Sequence, residues 1–211
     1  MQALIAGATG MVGQQLIQML VESKAYDRII LLVRKPLANM HSSVEQVVFD
    51  FETMTPDLPS ANHIFCCLGT TIAKAGSKEA FAKVDKDYPV ELAKVAKRNG
   101  ATTFCIVTAG GANSKSAIFY NKVKGEVEDA LIAMEFEHLG IFRPSMLLGI
   151  RAEKRPLERA GQRVMTALHF FIPKRYKAIQ SWKVALAMKN FAQHSDQKIR
   201  IFESDEMNIE G

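Results

Sequence analysis

Ala3-Leu4-Ile5-Ala6-Gly7-Ala8-Thr9-Gly10-Met11-Val12-Gly13 decides the fold of this chain: an apolar run, a glycine-rich turn and the start of an amphipathic stretch, in the order strand, turn, helix. Glycine lets a turn take backbone angles closed to other residues and lets a ligand approach the main chain, and the helix that follows presents free N–H groups and a positive dipole end. The pyrophosphate of a dinucleotide is what such a turn holds. Gly7, Thr9, Gly10, Met11, Val12 and Gly13 are therefore the first candidate cofactor-binding residues. Their Gly-x-x-Gly-x-x-Gly spacing is wider than the Gly-x-Gly-x-x-Gly of the dinucleotide fingerprint.

Beyond the turn, strands and helices alternate. Runs at 28–33, 46–49, 63–68, 103–107 and 139–142 are short and continuously apolar, as buried parallel strands should be. Stretches at 11–22, 80–98 and 115–134 carry apolar residues at helical spacing, and Asn99-Gly100 closes the second as a C-cap would. This pattern predicts a doubly wound α/β parallel sheet, in which ligands bind at the carboxyl ends of the strands near the point where strand order reverses. At 211 residues and 48% hydrophobic the chain suits one domain, with a small C-terminal lid over about 145–195. It shows no internal repeat, low-complexity tract or linker.

An NAD site usually carries an acidic residue ~20 residues past the glycines, to accept hydrogen bonds from the adenosine ribose. Here Arg34 stands 21 residues after Gly13, followed by Lys35. Two cations at that place suit a ribose 2′-phosphate and hence NADP, Arg being built for bidentate contact; their bland alternative is to solubilise a strand end. Asp50, after the third strand, is a partner for adenine or an ordinary loop carboxylate.

Tyr120 and Lys124 lie four apart and so on one helix face. A phenol ordinarily titrates near pH 10, and a nearby ammonium lowers that value. Tyr120 would then exchange a proton with a carbonyl or alcohol oxygen while Lys124 holds the nicotinamide ribose.

These features resemble the short-chain dehydrogenase/reductase superfamily, and in particular the atypical group of the Tat-interacting oxidoreductase and its bacterial relatives, often labelled nucleoside-diphosphate-sugar epimerases. The resemblance runs from Gly7 to about Arg143. Phe65-Cys66-Cys67-Leu68-Gly69-Thr70-Thr71, Lys74-Ala75-Gly76-Ser77, Val84-Asp85-Lys86-Asp87-Tyr88, Phe119-Tyr120-Asn121-Lys122-Val123-Lys124-Gly125-Glu126 and Arg143-Pro144-Ser145 carry it. It implies a Rossmann-like fold, NADPH binding, an oxidoreductase-type site and, as often in the superfamily, a homodimer. It also implies that Thr108, 12 residues before Tyr120, steadies the substrate oxygen where the superfamily usually has serine. Leu68, Gly69 and Thr70 would pass beside the adenosine ribose and phosphates, and Arg143, Pro144 and Ser145 would line the nicotinamide. Asp85 falls where many members have asparagine, or is a solvated helix-end charge. Ser114 and Ser116 are read as caps of the helix that carries Tyr120.

Three cysteines without metal or disulfide spacing fit a reducing compartment. Cys66 and Cys67 point to opposite faces of a strand and cannot share a metal, and with Cys105 they read as small core residues. No charged n-region precedes the first strand and no apolar run approaches ~18 residues, so a cytoplasmic protein without a membrane span is expected. Between Arg151 and Lys189 ten Lys and Arg face only Glu153 and Glu158, an excess of +8 in a chain of net +5. A cationic lid, with Lys154, Arg155, Lys174 and Arg175, would attract an anionic substrate; solvated helix faces are the alternative. Apolar interruptions and the lack of a stacking platform argue against nucleic acid. The function expected is an NADPH-dependent reductase of a small carbonyl or quinone-like compound. An NADPH-reading regulatory protein and a nucleotide-sugar epimerase or dehydratase are the alternatives.

Overall fold

Apolar strands joined by amphipathic helices bury both faces of a parallel sheet, and that is the arrangement found. The computed structural model describes residues 1–53, 58–149 and 177–208. Its main sheet contains β1 (Gln2–Ala6), β2 (Arg28–Val33), β3 (Val44–Val48), β4 (His63–Cys66), β5 (Thr103–Val107), β6 (His138–Arg143) and β9 (Ile199–Glu203). Their order is β3-β2-β1-β4-β5-β6-β9, parallel throughout. A short parallel pair, β7 (Leu147–Leu148) and β8 (Ile179–Gln180), stands apart. The chain runs outward from β1 to β3 and returns to β4 on the other side of β1, so strand order reverses between β1 and β4.

Alternation along each strand sends side chains to two cores. Ala3, Ile5, Ile29, Leu31, Phe65, Cys105 and Phe142 face one, where α1 (Met11–Ser23) and α6 (Ser181–His194) lie. Leu4, Ala6, Ile30, Leu32, Ile64, Cys66, Phe104 and Ile141 face the other, covered by α4 (Tyr88–Arg98) and α5 (Phe119–Ile132). Helix α1 buries Val12, Gly13, Leu16, Ile17 and Leu20, a stripe along one face. Adjacent cysteines part as strand geometry requires: Cys66 lies in the second core, and Cys67 packs on the first.

The stretch expected as one helix over 80–98 is helical from 78 to 98, and what the sequence did not show is a π turn (Lys83–Asp87) between α3 (Lys78–Ala82) and α4. The Tyr120 helix starts at Phe119 rather than 115 and has no side-chain cap, while Ser116 Oγ accepts the Ile118 N–H at 3.1 Å within the preceding loop. Of the expected lid over about 145–195, Ser181–His194 is a core helix against α1, with Val184, Ala185, Met188 and Phe191 buried. The remainder, 150–176, which holds Lys154, Arg155, Lys174 and Arg175, lies outside the described residues.

Candidate active site

The glycine turn stands where strand order reverses. Gly7 has φ +85°, and its carbonyl accepts the Gly10 N–H at 3.0 Å. A Cβ on Gly7 would lie 2.4 Å from the Cys67 carbonyl oxygen, and one on Gly13 would lie 2.3 Å from the Gly7 oxygen. Gly7 and Gly13 thus let β1, β4 and α1 meet. Thr9 is exposed, Gly10 and Met11 are half-buried and Val12 is buried, so the turn's outer rim is the 9–11 segment. Gly10 is the N-cap of α1; no side chain caps this helix, and its first turn holds no acidic residue. A dinucleotide pyrophosphate fits this end, because its oxygens meet N–H groups and the positive dipole end without a competing carboxylate.

Arg34 and Lys35 follow β2 and are exposed. Asp50 serves its own loop, with Oδ1 accepting the Glu52 N–H at 2.9 Å and Oδ2 the Thr53 hydroxyl at 3.4 Å. Beside it Phe51 stacks on Tyr88 at 5.4 Å, and the Tyr88 hydroxyl donates to Glu52.

Beyond β4 the chain passes Leu68, Gly69 and Thr70 and meets the π turn. A π turn shifts helical register by one residue and is common at functional sites. Here Asp85 is 2% exposed, and its Oδ2 accepts the Thr70 N–H at 2.8 Å. Its Oδ1 lies 2.7 Å from Lys124 Nζ, with both side chains almost wholly buried. Asp85 is therefore no solvated helix-end charge. Tyr120 packs on Phe81 at 5.4 Å between ring centroids. Contrary to expectation, the Tyr120 phenol is pushed above its ordinary value: burial dominates, Lys124 opposes it, and Asp85 adds to it.

At the end of β5 the Thr108 hydroxyl donates to Glu128 Oε1 at 2.6 Å and approaches the Phe142 carbonyl at 3.4 Å. Its proton is engaged inside the fold rather than offered to a substrate oxygen, which corrects the arrangement expected of it. Glu128 also receives Arg143 Nε at 3.1 Å and Nη2 at 2.6 Å, while Arg143 Nη1 reaches Glu203 at 3.0 Å. Glu128, first among its causes, holds the guanidinium above its ordinary value. The Pro144 carbonyl accepts the Gly110 N–H at 2.9 Å; the Ser145 hydroxyl donates to the Lys177 carbonyl, and the Ser145 N–H to Ser204 Oγ at 3.3 Å. The Arg143 and Ser145 side chains are thus occupied by the scaffold, leaving the backbone of 143–145 at the strand end.

Glu128 is a residue the sequence did not offer, and the buried partnership of Asp85 with Lys124 was not offered either. An acid inside a helical stretch normally means a wet face, and neither the π register nor a partner 39 residues away is visible locally.

The fold and the turn define a Rossmann-type dinucleotide-binding protein. Residues 7–149 match the family model described as NAD(P)H-binding, and the chain belongs to that family. Protein HTATIP2 of Rattus norvegicus is 35% identical over 170 residues, 78% of this chain and 70% of that protein. Protein FMP52, mitochondrial, of Eremothecium gossypii is 39% identical over 153 residues, 72% of this chain and 68% of that protein. Among solved structures, MoeE5 in complex with UDP-glucose and NAD superposes with a TM-score of 0.74 at 14% identity, covering 95% of this chain and 75% of that one. UDP-glucose 4-epimerase of Thermotoga maritima does so with a TM-score of 0.71 at 14% identity, covering 96% and 77%. At such identity the likeness is one of fold alone. No helix among the described residues is long and apolar enough to cross a membrane.

Proposed function

We propose that this chain is an NADPH-dependent oxidoreductase that reduces a small carbonyl or quinone-like compound. The observation that carries the reading is the pairing of Tyr120 with the buried Lys124 one turn along α5, whose charge acts on the phenol. When bound, the reduced nicotinamide supplies hydride. The chain's own part is the proton: Tyr120 Oη gives it to the substrate oxygen as the carbonyl carbon is reduced, and the phenol is restored from water. Arg34 and Lys35 take the ribose 2′-phosphate, and the first turn of α1 takes the pyrophosphate. Three free cysteines suit a reducing compartment, and the cytoplasm is the location proposed.

The test is a screen of NADPH oxidation against aldehydes and quinones with Tyr120→Phe beside the wild type. Tyr120→Phe should abolish turnover and leave NADPH binding nearly intact. Retention of wild-type turnover would remove Tyr120 from the chemistry. In the same preparation NADPH should bind at least about tenfold more tightly than NADH, roughly 1.4 kcal/mol, and Arg34→Ala should lose that preference.

One observation favours a second reading, an NADPH-reading regulatory protein without robust turnover. The Thr108 hydroxyl proton is held by Glu128, so the substrate oxygen lacks that donor. NADPH binding without oxidation of cofactor by any screened substrate would support it.

A further inference from the structure

Lys124 does not stand alone behind Tyr120. Its Nζ lies 2.7 Å from Asp85 Oδ1, with side chains 5% and 1% exposed. Two opposite charges buried at contact distance act on a third group in opposite senses, and at the Tyr120 phenol Asp85 offsets part of the larger effect of Lys124. Asp85 is held in place from two sides: the π turn fixes its backbone, and the Thr70 N–H fixes Oδ2 at 2.8 Å. Its orientation toward Lys124 is thus built into the scaffold.

We propose that Asp85 is a counterion that sets the proton balance of the site: by offsetting the charge of Lys124 it keeps Tyr120 a neutral phenol, so the site gives a proton to a substrate oxygen more readily than it takes one. The inference rests on the catalytic reading of Tyr120 for its consequence, alcohol oxidation that begins only at higher pH, but not for the charge relation itself.

The other charges near this helix face do not upset the balance. Lys86, on the same π turn, pairs with Glu126 at 3.0 Å and approaches Asp87 at 3.9 Å, while Lys122 lies 3.9 Å from Glu126. Lys78 of α3 sits over the Phe119 ring at 5.4 Å from its centroid. Among the described residues, Lys124 and Asp85 are the charges that act on the phenol, in opposite senses, and burial against Phe81 reinforces Asp85.

Asp85→Asn tests this. Asn keeps the shape and an oxygen for the Thr70 N–H while removing the negative charge, so the phenolate of Tyr120 should become easier to form. The readout is tyrosinate absorbance of the cofactor-free protein at a pH of about 10, the ordinary phenol value, taken as the difference between each protein and its Tyr120→Phe counterpart. Wild-type Tyr120 should contribute little tyrosinate there. In Asp85→Asn its phenolate-to-phenol ratio should rise about tenfold, a midpoint lower by about one unit. A ratio equal to or below the wild-type one would overturn the proposal. Should the Asn variant not fold, Asp85→Ser removes the same charge, keeps a small acceptor near Thr70, and is judged by the same ratio. A residue that merely packed would not move the Tyr120 titration. Turnover separates the two claims. Where a substrate is found, Asp85→Asn should begin alcohol oxidation at lower pH than the wild type. Full activity of Tyr120→Phe would sink the catalytic reading while leaving the tyrosinate result to decide the counterion.

Discussion

Substituting alanine at Gly13, Gly10 and Gly69, one at a time, separates the glycines that let the protein fold from those that leave room for a ligand. At Gly13 the added Cβ would sit 2.3 Å from the Gly7 oxygen and 3.0 Å from the Ala8 Cα, both backbone. Ordinary contact begins about 1 Å further out, so α1 must lift off the turn, loosening the Val12 and Leu16 face from the sheet. Overpacking of this kind costs about 1–3 kcal/mol. A loss of about 3 kcal/mol in a domain of this size lowers the melting temperature by roughly 6–12 °C. Gly69 is different. Its nearest neighbour would be Asp85 Oδ1 at 3.6 Å, an ordinary contact, while at Gly10, whose φ of −75° any residue adopts, it would be the Gly7 oxygen at 3.3 Å, which must give by a few tenths of an ångström. Gly69→Ala should therefore melt within about 2 °C of the wild type, as surface changes of under about 0.5 kcal/mol do, and Gly10→Ala should lose less stability than Gly13→Ala. Gly10→Ala and Gly69→Ala should nevertheless both lose about tenfold in NADPH affinity by fluorescence titration, since a methyl group then occupies backbone that the dinucleotide approaches. A Gly13→Ala protein that melts with the wild type would refute the packing argument, and undiminished NADPH binding by Gly69→Ala would remove residues 68–70 from the cofactor site.

Acid should weaken the fold through His63, at the opposite end of the sheet. Burial, with smaller help from His138 and the N-terminal ammonium, pushes its imidazole down to about 4 from 6.5, while Tyr26 lies 2.9 Å from its Nδ1. The unfolded chain takes the proton first, so this stability is fully present above pH 6.5 and is lost as pH falls to about 4. The loss is about 3 kcal/mol and should shrink in His63→Asn, as read by denaturant unfolding across that range; equal slopes in the two proteins would refute it. Glu128→Gln should destabilise by about 3 kcal/mol, at the low end for breaking a buried ion pair because Arg143 keeps Glu203, and a melt unchanged from wild type would show the network to be idle. Lys124→Ala, unlike Tyr120→Phe, should lower both turnover and NADPH affinity, because it strands the buried Asp85 beside Thr70; normal NADPH titration of a folded variant would contradict this.

What the sequence determined by itself is whatever short-range geometry encodes. A glycine turn between an apolar run and an amphipathic run can be little other than strand, turn and helix, so β1, α1 and the cofactor class were legible from residues 2–23. Continuous apolar runs marked β2, β4, β5 and β6 as buried parallel strands, and the 3.6-residue period placed Tyr120 and Lys124 on one face. The cations at 34 and 35 were equally plain, since they need only a strand end beside the turn. Tertiary structure alone decided how the polar groups are spent. Lys124 and Asp85 are 39 residues apart, and Thr108, just past β5, meets Glu128 of α5, which pairs with Arg143 of β6 and through it with Glu203 of β9. No periodicity encodes which charges meet when the sheet and helices pack, yet burial makes each such meeting decisive, because a charge out of water must find a partner. The same packing turned the C-terminal Ser181–His194 stretch, expected within a lid, into a core helix on α1. It also reversed the expected direction for Tyr120: the lysine four residues along was visible in the sequence, but the carboxylate that offsets it and the apolar ring that buries the phenol were supplied only by the fold.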